Sequence, residues 1–269
     1  MPPVFEPGTP APVPFRTAAL LPRGSLSSLA KRRASAAEAG LPDTPEGRFL
    51  LRFRADQSLR HLAETIGLPG TEIGGAIVDG EAWSLELPPP DGAFAELLPV
   101  EEPLPTLGRP SFVLDVHLGR LARDLRLLGF DTAWSGDLDD EGIAGCAVAE
   151  GRIALSRDRG LLYRRAFYPH GREGAAARGM LIRSKDPYEQ LLEVSRRFGL
   201  GPMARPLSLC ASCGSALRPA TPEEVAPLIP PIVAQRYSEF LLCPGCGKPY
   251  WKGDHLRTII PLLERITLR

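Results

Sequence analysis

The sequence predicts an α/β protein: a parallel-sheet domain that follows a smaller mixed unit and precedes a four-cysteine ribbon. Three observations support this prediction. Short apolar strands alternate with helical patterns between residues 110 and 201. A strand, helix and hairpin pattern precedes them over residues 46–105. Two Cys-x-x-Cys pairs follow them within residues 205–257. Strands that alternate with helices are typical of a parallel sheet covered by helices.

The stretch from Phe112 to Phe130 defines the first strand and helix of the parallel domain. Phe112–Leu114 is a short apolar run, as in an inner parallel strand. The helix presents one apolar face, formed by Leu118, Leu121, Ala122, Leu125 and Leu128. Gly129 is placed to end it. Asp115 therefore lies where the strand stops, at the sheet edge that carries the sites of open α/β folds.

The same reading places the remaining elements of this domain. Further strands are expected near Asp131–Trp134, Ile153–Ser156 and Met180–Arg183. Helices are expected near Leu118–Leu128, Asp140–Ala149, Arg159–Ala166 and Pro187–Phe198, and Asp186-Pro187 is a typical helix start.

The first hundred residues divide into a tail and a small domain. Residues 1–45 contain nine prolines and no apolar period, which predicts an unstructured tail. Residues 46–105 read as a β-grasp domain, with a strand at Phe49–Phe53, a helix capped by Ser58 and a turn at Asp79-Gly80. This order is similar to ubiquitin-like sulfur carriers. The chain continues beyond the domain without a free Gly-Gly tail, so a module that binds a protein partner or presents substrate is favoured over sulfur transfer.

The overall charge is balanced, with 32 basic and 32 acidic residues, and gives no global sign of nucleic-acid binding. Locally, Arg152 to Lys185 contains eight arginines and one lysine against two carboxylates, a net charge of +7. No apolar run is long enough for a membrane span. Four of the five cysteines pair at metal-ligand spacing, so a cytoplasmic compartment is the simplest expectation.

Three aspartates are expected at one edge of the parallel sheet. Asp115 and Asp158 follow strands, and Asp140, or Asp139 in its place, opens the helix before the Ile153–Ser156 strand. Strand carboxyl ends and helix amino ends share that edge. Carboxylates this close repel one another unless one keeps a proton or a cation lies among them. An all-oxygen ligand set favours Mg²⁺ or Mn²⁺. Each aspartate taken singly could instead cap a helix.

Basic residues around that edge are candidate phosphate contacts. They are Arg120, Arg123, Arg157 and Arg159. With a catalytic metal they predict phosphodiester chemistry on RNA.

The cysteines Cys210, Cys213, Cys243 and Cys246 form two knuckles, with 29 residues between the pairs. Four thiolates predict structural Zn²⁺, with a rubredoxin-like iron site as the alternative. Trp251 and His255, on the strand that follows, could stack on and pair with an RNA end, or the aromatics could pack the ribbon onto the parallel domain. Residues 258–269 have the apolar spacing of a docking helix.

The motifs resemble the PIN-like RNase family named for the Mut-seven C-terminal domain. The matching motifs are Phe112 to Asp131, Asp140 with Gly151-Arg152-Ile153, Ser156-Arg157-Asp158-Arg159, Gln190-Leu191, and the Cys pairs followed by Tyr250, Trp251, Gly253 and His255. Ser156 stands where the family usually has Thr. The motifs around Thr71, Val78 and Asp91 resemble the ubiquitin-like domain often fused ahead of it.

This resemblance implies a PIN-like, metal-dependent ribonuclease domain over residues 110–201 with an appended zinc ribbon. It carries the family's acidic positions to Asp115, Asp140 and Asp158. The alternative function is a non-catalytic RNA-binding adaptor, in which the ribbon and arginines bind RNA and the β-grasp domain binds a partner.

Overall fold

The fold is described from a computed structural model. It describes residues 13–30, 47–104, 108–168, 178–251, 253, 260, 261, 263, 264 and 266. The chain forms two compact units, residues 1–100 and 101–269. Among the described residues, none of the helices combines the length and apolar content that crossing a membrane requires.

The first unit is a five-stranded mixed sheet with one α-helix. Its elements are β1 (Phe15–Pro22), β2 (Phe49–Arg54), α1 (Leu59–Thr65), β3 (Ile73–Val78), β4 (Glu81–Ala82) and β5 (Ala93–Pro99). The strand order is β2-β1-β5-β3-β4. The central pair, β1 and β5, is parallel, and the other neighbours are antiparallel.

The prediction of an unstructured tail over residues 1–45 is wrong for residues 13–30. Residues 15–22 form β1, between β2 and β5 at the centre of the sheet, and Leu20 is fully buried. The prolines flank this strand or end it at Pro22, so they remove no hydrogen bond from its middle. The domain predicted to start at residue 46 therefore includes a strand from before it. The rest of the predicted tail lies outside the described residues.

The local features predicted for the first unit are present. Ser58 caps α1 by accepting a hydrogen bond from the His61 N–H. The β3–β4 hairpin turns at Asp79 and Gly80, whose φ angles are 52° and 91°. Two positive φ angles are typical of the tight turn that matches the strand twist.

The second unit contains the parallel sheet. Its elements are β6 (Phe112–Leu114), α2 (Gly119–Leu127), β7 (Thr132–Ala133), α3 (Asp140–Glu150), β8 (Ile153–Ser156), α4 (Arg159–Leu162), β9 (Gly179–Leu181) and α5 (Pro187–Phe198). The order is β7-β6-β8-β9, and all pairs are parallel. The prediction of a parallel α/β sheet is confirmed. Among the helices only α4 is clearly shorter than predicted, because a 3-10 turn at Arg165–Phe167 replaces its end, and strand β7 has two residues instead of the predicted four.

The predicted apolar face of α2 is buried, with Leu121, Leu125 and Leu128 fully covered. Phe112 on β6 contacts Phe130 and Phe198, with ring centroids 6.3 and 5.7 Å away. These contacts pack the start of β6, the strand that Asp115 follows, into the core.

The ribbon adds a three-stranded antiparallel sheet to the second unit. Its elements are β10 (Arg218–Ala220), α6 (Pro222–Val225), α7 (Pro231–Arg236), β11 (Phe240–Leu242) and β12 (Pro249–Trp251). Cys210, Cys243 and Tyr250 share one hydrophobic core with Phe112. The regions predicted as a nuclease domain and a separate ribbon thus lie in one compact unit. The described C-terminal positions 260–266 are helical, and Ile266 is buried in the same core.

Candidate nuclease edge and four-cysteine metal centre

Asp115 lies at the carboxyl end of β6 and is almost completely buried. Its Oδ1 accepts a hydrogen bond from the His117 N–H at 2.8 Å, which caps a 3-10 turn. Its Oδ2 accepts one from the Ser156 hydroxyl at 2.7 Å. The two carboxylate oxygens are therefore oriented by the turn that follows β6 and by the last residue of the adjacent strand β8.

Ser156 joins the loops that carry Asp115 and Asp158. It ends β8, is fully buried, and its Oγ accepts a hydrogen bond from the Asp158 N–H at 2.9 Å. Asp158 itself is exposed, and its Oδ1 caps α4 by accepting from the Gly160 N–H at 2.7 Å. The buried hydroxyl thus links the carboxylate of Asp115 to the backbone of Asp158. The sequence indicated this residue only as a Thr-to-Ser departure from the family pattern.

The two acidic residues at the start of α3 have different partners. Asp139 caps the helix, because its Oδ1 accepts from the Gly142 N–H at 2.8 Å. The Asp140 side chain is about half exposed and lies 3.7 Å from the Arg164 guanidinium. Asp140, unlike Asp139, is thus not used as the helix cap.

The three predicted metal aspartates do not form a preassembled ligand set. Among the described residues, the group of ligand atoms that all lie within 4.8 Å of one another consists of four cysteines and no aspartate. Asp115, Asp139 and Asp158 each accept a backbone N–H as a cap, and Asp140 has an arginine partner. Caps and ion pairs stabilise separated carboxylates in the absence of a cation.

The candidate phosphate contacts differ in exposure. Arg123 and Arg157 are exposed, and Arg159 is half-buried. Arg120 pairs with Asp124 on the next turn of α2, with its Nε 3.1 Å from Oδ2. Burial raises the pKa of Asp124, and the pairing with Arg120 opposes that rise. His255 lies outside the described residues.

The four cysteines converge on one point. The Sγ atoms of Cys210 and Cys246 are 3.6 Å apart, and those of Cys213 and Cys243 are 3.3 Å apart. A tetrahedral Zn²⁺ site with bonds of about 2.3 Å has sulfur–sulfur edges of about 3.8 Å. The cluster therefore has the donor set and the dimensions for a tetrahedral metal ion.

Glycines shape the two knuckles that carry these cysteines. Gly214 and Gly247 have φ angles of 81° and 73°, and their N–H groups donate to the carbonyls of Cys210 and Cys243. Within the first knuckle, hydrogen bonds from the Ser215 hydroxyl and N–H lower the pKa of Cys213 to about 6. A thiol that ionises near neutral pH is suited to metal binding.

Residues of the parallel domain and of β12 support the cysteine cluster. The fully buried Tyr250 hydroxyl lies 3.1 Å from the Cys210 Sγ and accepts a hydrogen bond from the Ala211 N–H at 3.0 Å. The buried Arg126 of α2 donates to the Thr132 and Ser212 carbonyls at 2.9 Å each. Its cation interacts favourably with the charge of Cys210 and Cys213. Spacing alone did not indicate Arg126, since its position on α2 is far from the cysteines in sequence.

The aromatic residues of β12 pack the ribbon rather than forming an open stacking surface. Tyr250 is fully buried in the main core. Trp251 is half-buried and packs on a second cluster of Val225, Ile229 and Phe240. The alternative in which the aromatics serve packing is the one the structure favours.

Comparison with protein families now identifies the region that carries both sites. The Mut7-C RNAse domain matches residues 110–263, more than half of the chain. The chain belongs to the Mut7-C RNAse domain family. This membership indicates a nuclease-type function. It does not favour the alternative of a non-catalytic RNA-binding adaptor. Neither the curated proteins nor the solved structures with which the chain was compared give a match.

Proposed function

We propose that this protein is a metal-dependent ribonuclease that hydrolyses RNA phosphodiester bonds at the carboxyl edge of the parallel sheet. The observation that carries the proposal is the hydrogen-bonded unit Asp115–Ser156–Asp158, which lies within the Mut7-C RNAse match. Sheet edges of this kind hold the sites of open α/β folds.

Asp115, Asp158 and Asp140 would hold Mg²⁺ or Mn²⁺. A divalent ion bound there supplies an activated water and stabilises charge on the phosphoryl group. Asp115 is oriented for this role by Ser156 and by the His117 N–H. Asp140 would exchange Arg164 for the ion, and its half-exposed ion pair at 3.7 Å is a weak one. Asp139 substitutes for Asp140 only if it gives up its helix cap.

The arginines would bind the RNA backbone. Arg123 and Arg157 are exposed and would position phosphates near the aspartates. Arg120 would serve the same purpose after release from Asp124, and Arg159 and His255 complete the set of proposed substrate contacts.

The cysteine cluster would bind Zn²⁺ as a structural metal. Four cysteine ligands leave no open position for substrate or water, as in structural zinc sites. The cluster borders the main core, so the ion would stabilise the domain that carries the nuclease edge.

We further propose that the first unit is a ubiquitin-like β-grasp domain that binds a protein partner. The proposal is supported by its five-stranded order with a parallel central pair and by one helix between β2 and β3.

The nuclease proposal is tested by incubating labelled single-stranded RNA with the purified protein and Mn²⁺. Wild-type protein is expected to cleave it. Asp115→Asn should lose roughly 100-fold or more of the cleavage rate, since even changes to residues that only orient metal ligands cost about 10–100-fold. The asparagine oxygen can still accept from the His117 N–H, but its amide nitrogen cannot accept from the Ser156 hydroxyl, so the variant should fold with a modestly lower melting temperature. Equal cleavage by Asp115→Asn would overturn the assignment.

A further inference from the structure

A cleft opens at the edge of the parallel sheet opposite to the aspartates. It has a volume of about 450 Å³ and is lined by Arg109, Ser111, Asp131, Arg205 and Ser208, among others. Ser111 directly precedes β6 and Asp131 directly precedes β7, so the cleft lies at the amino ends of these parallel strands. Its volume is in the range of ligand-binding clefts.

The chain around Gly129 positions the side chain of Arg109 and the backbone of Arg205. Arg109 donates from Nη2 to the Gly129 carbonyl at 2.6 Å, and its Cζ lies 4.9 Å from the Phe130 ring centroid. The Arg205 N–H donates to the Leu128 carbonyl at 2.8 Å. Gly129 has a φ of +84°, and a Cβ there would lie 2.3 Å from the Arg205 carbonyl oxygen. Only glycine permits this close approach.

The two guanidiniums repel each other and have no carboxylate partner among the described residues. Burial and the charge of Arg205 both lower the pKa of Arg109. Asp131, a carboxylate that lines the cleft, is already paired with Arg152, whose Nη2 lies 2.9 Å from its Oδ2. Two adjacent cations without an anion form a site that an anionic ligand would stabilise.

We propose that this cleft binds a backbone phosphate of the RNA strand, with Arg109 and Arg205 as its cationic contacts. This inference rests on the proposed ribonuclease function, which supplies RNA as the ligand. The planar guanidinium fork matches phosphate oxygens in a bidentate manner. Strand β6 has three residues and spans about 10 Å, so the cleft and the aspartate edge lie at the two ends of a short sheet.

Fluorescence anisotropy with fluorescein-labelled single-stranded RNA, measured at several salt concentrations without added Mg²⁺ or Mn²⁺, tests the cleft. For Arg205→Gln we expect about threefold weaker binding and a salt slope smaller by about 0.7, as for one lost phosphate contact. For Arg109→Gln/Arg205→Gln we expect about tenfold weaker binding and a slope smaller by about 1.4. Arg196→Gln, an exposed change of the same charge on α5, is the control and should bind as wild type.

Arg205→Gln gives the decisive variant if the Arg109 change perturbs folding, because Arg205 makes no side-chain hydrogen bond or ion pair to the described residues. Wild-type RNA affinity in both cleft variants, or an equal loss in Arg196→Gln, would overturn the proposal. Titration calorimetry with inorganic phosphate distinguishes free phosphate from an RNA backbone phosphate as the ligand. If the double variant loses phosphate binding but keeps wild-type RNA affinity, the proposal that the cleft binds RNA is also overturned.

Cleavage is measured separately, so that the two proposals fail differently. If the protein binds RNA through Arg109 and Arg205 but does not cleave it, the proposal for the cleft is supported and the nuclease assignment is contradicted. If the protein cleaves RNA and the cleft variants bind RNA with unchanged affinity, the nuclease assignment is supported and the proposal for the cleft is contradicted.

Discussion

The second unit contains two candidate metal sites that differ in how far the polypeptide alone assembles them. The four cysteines have their sulfur atoms within 4.8 Å of one another. The three aspartates at the carboxyl edge are instead engaged by backbone N–H groups, a serine and an arginine. The cysteine ligands already converge on one point, whereas the aspartates are held separately by their own partners.

The charge and setting of the ligands explain this difference. Thiols can approach one another while protonated, and the knuckle turns and the shared core hold them together. Two carboxylates at about 4 Å repel by about 4 kcal/mol at an effective dielectric near 20. Aspartates at the edge are therefore more stable as caps and ion pairs until a cation offsets their charge. We infer that the cysteine site serves stability and the aspartate edge serves activity.

The largest expected effect is on the cysteine site. Cys243→Ser removes a buried ligand of the proposed Zn²⁺, whose binding is worth about 10–16 kcal/mol of folding free energy in zinc-finger peptides. The variant should lose its metal, measured by elemental analysis, and the cooperative thermal transition of the second unit, measured by circular dichroism. Cys146→Ser, a half-buried thiol on α3, is the matched control and should retain both. If the Cys243→Ser protein contains no metal but melts at the wild-type temperature, the metal has no structural role.

Ser156→Ala tests the link between the two aspartates. It leaves the Asp115 Oδ2 and the Asp158 N–H each without the Ser156 hydroxyl, at a cost of about 1–3 kcal/mol of unfolding free energy. Cleavage should fall about 10–100-fold, as for outer-shell changes at metal sites. Ser156→Thr keeps the hydroxyl and should retain most activity at wild-type metal affinity. A full loss in Ser156→Thr as well would point to packing instead of the hydrogen bonds.

Substitutions of Asp139 and Asp140, at the start of α3, test which of the two residues is the metal ligand and which is the helix cap. Asp139→Ala should lower the unfolding free energy by about 1 kcal/mol with activity kept, because it removes the helix cap. Asp140→Asn should lower activity roughly tenfold or more at an unchanged melting temperature. Cleavage assays and denaturant titrations on both variants check this, and the reverse pattern would assign the metal to Asp139.

Tyr250→Phe should have the smallest effect on metal content and activity. It leaves the buried Ala211 N–H without its acceptor, which costs about 1–3 kcal/mol of unfolding free energy. The variant should still bind one metal ion and cleave RNA at the wild-type rate, measured by elemental analysis and the cleavage assay. Loss of the metal would show that the Tyr250 hydroxyl is needed to hold Cys210 in place.

The parallel domain was predictable because its signals are local. The apolar runs, the helical face from Leu118 to Leu128 and the caps at Gly129 and Asp186 each act within a few residues, and they appear as predicted. The cysteine cluster was predictable from sequence spacing, since two Cys-x-x-Cys knuckles are typical of a metal site with four cysteine ligands. The sequence did not predict β1, because the burial of this strand depends on its pairing with β5, about seventy residues later. No local sequence pattern indicates that pairing.

The sequence by itself determined the elements of the second unit, the ligand types and the edge on which the aspartates fall. Only the tertiary structure decided how those groups are used. It placed Ser156 between Asp115 and Asp158, and it brought Arg126 of α2 to the cysteines. It also set Arg109 and Arg205 together around Gly129, far from the aspartates. These contacts join residues distant along the chain, so they follow from packing and not from local periodicity.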